Sequence, residues 1–346
     1  MNIRILITGF VFVGASLFYG PLDGQLYGQQ GSIAGPSTGF VFDNSSHVLR
    51  GIRGIPGASL IGDPVDFGFE VAWASVSPAL DSAVVADAKG AIHVFQLNGA
   101  QPVERTVDGL ANDGLATAQH VVYSPTGTAA ALYGAGGVQM LKGLPGAPAI
   151  AGTLSLGQDY SSQFGTASLG KTRRSTGAPL AVSDDGAYLL RVSDGGLRVL
   201  GLAGDNRKLA DVTAGTLAAF APGSHDAAVV DPETGLALIH DVAGASVTQI
   251  LTAPGSNIGL PVSMAFSPDA RKVFVASAAA RSVTAIDVSA GATSGASITL
   301  ACDCTPAGLV RMGGVFRVNE LGAGPLWLLD AITTDPHLVF VPAMPQ

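Results

Sequence analysis

Apolar runs of four to seven residues, rich in Val, Ile, Leu and Phe, recur along this chain, separated by Gly, Asp, Pro and Ser. A phrase closes many of them: Phe266-Ser267-Pro268-Asp269, Val76-Ser77-Pro78, Tyr123-Ser124-Pro125-Thr126-Gly127 and Val182-Ser183-Asp184-Asp185-Gly186. Each copy ends one run and opens another. Runs this short between turn residues read as β-strands. Pro presets the backbone of the turn, and Asp bonds its own main chain. Aligned on the run before the phrase, the first strands are Val71–Val76, His120–Ser124, Pro179–Ser183, Thr216–Ala221, Val262–Ser267 and Ala307–Met312. They start 49, 59, 37, 46 and 45 residues apart. A period in the forties built from strands, without long 3.6-residue patterns, predicts a β-propeller.

The unit from residue 262 shows the expected blade. Val262–Ser267 is the first strand, Lys272–Ser277 the second, Ser282–Val288 the third and Ser297–Leu300 the outer one. Matching pairs are Ala83–Ala86 with Ala91–Leu97, Ala187–Val192 with Leu197–Leu202, and Ala227–Val230 with Leu236–Asp241. The last unit continues with Val315–Asn319, Pro325–Leu329 and Leu338–Val341. Ahead of the first unit, Gly39–Asp43 reads as a third strand and Val48–Ile52 as an outer strand. The fold class is therefore all-β. The expected architecture is a propeller of four-stranded antiparallel blades, seven in number with the first incomplete, six being the alternative. Ring closure removes exposed sheet edges, so an apolar array of this kind is expected to be monomeric.

The Ser-Pro-Asp turn, followed by Val273-Phe274-Val275-Ala276 and Val283-Thr284-Ala285-Ile286-Asp287, resembles YVTN-type and WD-repeat-like propellers of secreted bacterial proteins. The resemblance covers roughly residues 39–342. It implies an architecture; the Trp-Asp and Gly-His signatures of true WD repeats are missing, and the YVTN phrase is present only loosely.

Composition narrows the function classes. Charged residues make up 13% of the chain and apolar residues 47%, with a net charge of −8. The longest basic cluster is Lys171-Thr172-Arg173-Arg174, which argues against a nucleic-acid partner. Arg4 followed by the apolar run Ile5–Tyr19 reads as a secretory signal, too short for an ordinary membrane span. Residues 1–30 are accordingly expected to be a signal peptide, cut between Gly20 and Ser32, with an uncleaved anchor as the alternative. Residues 31–346 then form a single propeller domain. The expected location is secreted or periplasmic. The sequence holds two cysteines, Cys302 and Cys304. In an exported chain they are expected to be oxidised. Their spacing allows an intrachain bridge if the backbone kinks locally, with free thiols or an intermolecular bond as the alternatives.

Two motifs match catalytic patterns in letters only. Gly165-Thr166-Ala167-Ser168-Leu169-Gly170-Lys171-Thr172 fits the phosphate-loop pattern, but that mechanism needs a buried strand before it and a helix after it. The polar residues 159–163 and the stretch 173–179 supply neither, so it reads as a long inter-blade loop and no nucleotide is expected. Gly35-Pro36-Ser37-Thr38-Gly39 fits the nucleophile elbow, yet leads into a strand instead of a helix. Asn44-Ser45-Ser46 is a glycosylation sequon. The six histidines, His47, His93, His120, His225, His240 and His337, show no ligand spacing.

Propellers present their ligands at a mouth of the central channel. Glu70 and His120, at the starts of two first strands, are candidates to face it. Asp66 and Asp113 lie in the loops leading in. Such carboxylates could hold Ca²⁺ or Mg²⁺, as in lactonase-like propellers. No run of alternating acidic ligands accompanies them, so no catalytic residue or cofactor is assigned and the metal question stays open. The expected function is a non-enzymatic scaffold for an unknown protein or small-molecule ligand. The alternative is a metal-dependent, lactonase-like or other hydrolase with its site at the channel.

Overall fold

The recurrent serine turn is the hinge of the blade in the computed structural model. It describes residues 35–99, 101–110, 120–134, 137–156, 180–193, 196–252, 258, 260–289 and 296–344. Ser267 Oγ donates to Asp269 Oδ1 (2.6 Å) and accepts the Lys272 N–H (2.9 Å). Ser183 Oγ does the same with Asp185 Oδ1 (2.6 Å) and the Tyr188 N–H (2.9 Å). One hydroxyl thus ties the start of the turn to the strand that follows it. The fourth residue of the turn takes a positive φ: Leu80 64°, Gly127 84°, Gly186 67° and Ala270 58°. Glycine suits that position, and a Cβ there is strained by about 1 kcal/mol. Ala270→Gly is therefore expected to raise stability by up to about 1 kcal/mol, read as a higher denaturant midpoint.

Each turn joins an inner strand to the next strand outward. The first blade holds β1 (Ser37–Asp43), β2 (Val48–Ile55) and β3 (Ala58–Pro64). The second holds β4 (Val71–Val76), β5 (Ser82–Asp87), β6 (Ile92–Gln96) and β7 (Val103–Arg105). The third holds β8 (His120–Tyr123), β9 (Ala129–Gly134), β10 (Gly137–Lys142) and β11 (Ala149–Leu154). The fourth holds β12 (Leu180–Val182), β13 (Tyr188–Ser193), β14 (Gly196–Gly201) and β15 (Asn206–Asp211). The fifth holds β16 (Leu217–Phe220), β17 (Ala227–Asp231), β18 (Gly235–His240) and β19 (Val247–Ile250). The sixth holds β20 (Pro261–Phe266), β21 (Lys272–Ser277), β22 (Ser282–Asp287) and β23 (Ser297–Ala301). The seventh holds β24 (Val310–Met312), β25 (Val315–Arg317), β26 (Leu326–Asp330) and β27 (His337–Val341). All pair antiparallel in sequence order, giving six four-stranded sheets and one three-stranded sheet. The seven-bladed expectation, with a short first blade, therefore holds.

The first blade corrects the sequence reading in detail. Gly39–Asp43 was expected as a third strand and Val48–Ile52 as an outer one. Instead β1 is innermost, lying against β4 and β24, and β2 is second. The third strand, β3, was not expected at all. Its sequence, Ala58-Ser-Leu-Ile-Gly-Asp-Pro64, is short of apolar residues because it is an outer strand with half its positions exposed. The last inner strand is also shorter than expected, 310–312 in place of 307–312.

Apolar clusters stand at all seven contacts between neighbouring blades. Strand β5 shows why its sequence reads as a continuous apolar run. Ala83 and Val85 face the first blade, while Val84 and Ala86 face the third. Side chains alternate across a strand, and here both faces are covered. Outer strands have a single such face at most, and every residue of β19 is exposed. The ring closes without exchanging a strand. Met312, Val315, Leu326 and Leu328 of the seventh blade pack on Val41 and Ile52 of the first. Gly39 fits this seam because it lacks a side chain: a Cβ would lie 2.7 Å from Met312 Sδ.

Candidate functional site

Within a blade the inner strands all run the same way, so the ring has a strand-start face and a turn face. The outer strand of a four-stranded blade ends on the strand-start face, whereas β3 of the three-stranded first blade ends on the turn face. Of the four candidates, Glu70 and His120 belong to the strand-start face by their places just before β4 and at the start of β8. Glu70, just before β4, is exposed. Asp66 is exposed too, and its Oδ1 accepts the Gly68 N–H (2.8 Å), which shapes its own loop. His120 opens β8 and stacks on Tyr133 of the same blade at 5.4 Å between ring centroids. Asp113 lies outside the described residues, as does the phosphate-loop match at 165–172. Among the described residues no three His, Cys, Asp or Glu side chains come together as a metal-sized group.

The carboxylates with displaced pKa values are tied into turns. Burial pushes the Asp231 carboxyl upward, but donated bonds overcome this and hold it well below the usual range. The donors are Thr213 N–H and Oγ1–H, Thr216 Oγ1–H, and the N–H groups of Glu233 and Thr234. Asp43 is similar: burial raises it, and Ser45 and Ser46 lower it further through both hydroxyls and both N–H groups. Burial raises Asp185 and Asp269 too, but the serine hydroxyl and an N–H group of their own turns, with His225 at Asp185, together hold both below the usual range. Perturbed carboxylates of this kind belong to the framework; bonds to the ionised form, rather than a reacting partner, set their pKa.

The elbow match is a plain strand. Ser37 is the first residue of β1, its Oγ contacts the Ile52 carbonyl (3.4 Å), and no helix follows. Cys302 and Cys304 are bonded to each other across the loop between β23 and β24, with Cα atoms 5.0 Å apart. Both are buried in the cluster with Leu309 and Phe316. Arg281 donates to the Cys304 carbonyl (3.2 Å) and to Asp303 Oδ1 (3.2 Å), bracing this loop.

The turn face holds residues that sequence reasoning missed. Asp184 Oδ1 accepts the Thr126 N–H (2.8 Å) and Oγ1–H (2.6 Å) of the third blade. Its Oδ2 accepts the Gly223 N–H (2.7 Å) of the fifth. One carboxylate so joins three consecutive turns. Arg311, in the middle of β24, donates from Nη1 to the Pro125 carbonyl (2.8 Å) and from Nε to the Gly313 carbonyl (2.9 Å). The Gly313 N–H reaches the Pro78 carbonyl of the second blade (2.7 Å). In a ring of seven the seventh and third blades stand nearly opposite, so Arg311 crosses the channel. A signal was present: among the described inner strands Arg311 is the single Lys or Arg.

This architecture defines the chain as a seven-bladed β-propeller. No protein-family model matches it, and no curated protein matches it in sequence. Its fold is similar to that of a protein of unknown function from Desulfotomaculum acetoxidans, with TM-score 0.52 and 13% identity over 88% of this chain and 99% of the other. A Bacteroides fragilis protein provisionally designated a 6-phosphogluconolactonase gives TM-score 0.52 and 14% identity, over 88% and 97%. Hydrazine synthase from Kuenenia stuttgartiensis gives TM-score 0.50 and 13% identity, over 87% and 92%. At such identities the likeness is one of fold, and a fold of this kind serves many activities.

Proposed function

We propose that this chain is an exported, monomeric propeller of the YVTN type. It works as a non-enzymatic scaffold that holds a protein or small-molecule partner at its strand-start face. The observation that carries this reading is the disposition of the carboxylates. Those with displaced pKa values are spent on bonds that hold turns and blade connections, and among the described residues Glu70 and Asp66 stand exposed and join no group of three His, Cys, Asp or Glu. A hydrolase needs the opposite, several such groups aimed at one point. Apolar residues on the same face suit a contact surface: Leu260, before β20, is 67% exposed and Val310, opening β24, is 42% exposed. The signal-like N-terminus and the paired cysteines support export. The acidic balance and the lack of a basic cluster speak against nucleic acid.

The test is elemental analysis of the purified protein, dialysed without chelator, with assays of ester and lactone hydrolysis. The expected result is no stoichiometric divalent metal, no turnover, and recovery of a specific envelope partner by cross-linking from Val310→Cys. One equivalent of tightly held metal, with hydrolysis abolished by Glu70→Gln, would establish the lactonase-like alternative instead.

A further inference from the structure

We propose that the turn-face mouth of the channel carries an oxyanion-binding site built on Arg311, suited to a carboxylate or a phosphate group. It stands apart from the partner-binding reading above, which concerns the opposite face. Arg311 reaches across the channel and is held at both ends of its reach by main-chain carbonyls, those of Pro125 and Gly313. These fix the guanidinium but do not neutralise it. Its nearby carboxylate, Asp184, acts on it only through space. Both Asp184 oxygens are already occupied by donors from Thr126 and Gly223. The second Nη1 hydrogen and both Nη2 hydrogens have no protein acceptor among the described residues. The side chain is half-buried, so these donors remain within reach of solvent.

A partly desolvated, fixed cation with unused donors is a poor resting arrangement unless something satisfies it. Burial indeed holds the guanidinium below its ordinary pKa, with Asp184 offsetting part of the effect. The planar fork of the unused N–H groups matches two oxygens of a carboxylate or phosphate, and carbonyl anchoring removes most of the side-chain entropy cost of binding.

The test is titration of the whole protein with inorganic phosphate and, separately, acetate, at constant ionic strength set with sodium chloride. Calorimetry and thermal shift are the readouts. One saturable equivalent is expected for at least one of the two anions, and which one binds separates a phosphate ligand from a carboxylate ligand. Arg311→Gln is expected to weaken it roughly tenfold or more, the loss of a charge-assisted pair of bonds. Arg311→Lys keeps the charge and loses the fork, and is expected to weaken it several-fold. Absence of saturable binding to the wild type would overturn the proposal, as would undiminished binding in Arg311→Gln. Should that variant fail to fold, undiminished binding in Arg311→Lys would overturn it equally. Neither outcome touches the metal and hydrolysis assays that test the scaffold reading.

Discussion

Phe316→Ala is expected to lower the free energy of unfolding by about 3–5 kcal/mol. Phe316, in β25, is 0% exposed, and its ring meets Phe274 of the sixth blade edge-on at 5.3 Å. It packs in the same cluster as Cys302, Cys304 and Leu309. Truncation removes apolar surface from a contact that joins two blades, and the surrounding sheets are too stiff to collapse into the space. The loss should appear as a lower midpoint in urea, with Phe316→Leu costing much less because it keeps most of the volume. A ring closed without an exchanged strand depends on each interface, so the same substitution should also speed proteolysis of the intact chain. A change under about 1 kcal/mol for Phe316→Ala would contradict this interface.

Asp231→Asn is expected to cost about 2–3 kcal/mol at neutral pH and to change the response to acid. Asp231 is 2% exposed and accepts bonds from Thr213, Thr216, Glu233 and Thr234. An amide offers one acceptor oxygen where the carboxylate offers two, and it brings an N–H₂ group that must find its own partners. The sign of the pH effect follows from the lowered pKa. A carboxyl held below its unfolded value stabilises the fold above that value, near 4, and loses this contribution as pH falls through the folded value. Asp43 is lowered in the same way. Wild-type stability is therefore expected to be level from neutral pH to about 5 and to fall steeply below about 4. Asp231→Asn should be less stable at neutral pH and show a shallower acid limb. An equally steep limb in the variant would show that other groups dominate acid unfolding. His240, raised by its bond to Asp226, works in the opposite direction. Its contribution is present below the unfolded histidine value and is lost as pH rises through the folded one; it is small because the pair is solvent-exposed.

The blades were legible because their chemistry is local. A serine that bonds the aspartate two residues on and the N–H five residues on needs only its own turn, so it repeats wherever the turn repeats. Likewise the middle strands announce themselves, since burial on both faces demands an unbroken apolar run such as Ala83–Ala86 of β5. Strand β3 was missed for the converse reason: an outer strand exposes half its residues, and Ala58–Pro64 looks like a loop. The candidate residues were chosen by position in the repeat, which places Glu70 and His120 at the strand-start face but does not say which side chains they meet.

The sequence by itself determined the repeat, the turn chemistry and the strand pattern of the later blades, all of which depend on residues within one unit, and it narrowed the blade count to seven or six. Only the tertiary structure decided which strand of the first blade is innermost. It also decided that the ring closes by packing Met312 and Val315 on Val41 and Ile52, and that Arg311 reaches Pro125. These contacts join residues far apart along the chain, and their partners are set by the curvature of the closed ring. No local pattern encodes that curvature, because it arises from the summed packing of seven blades.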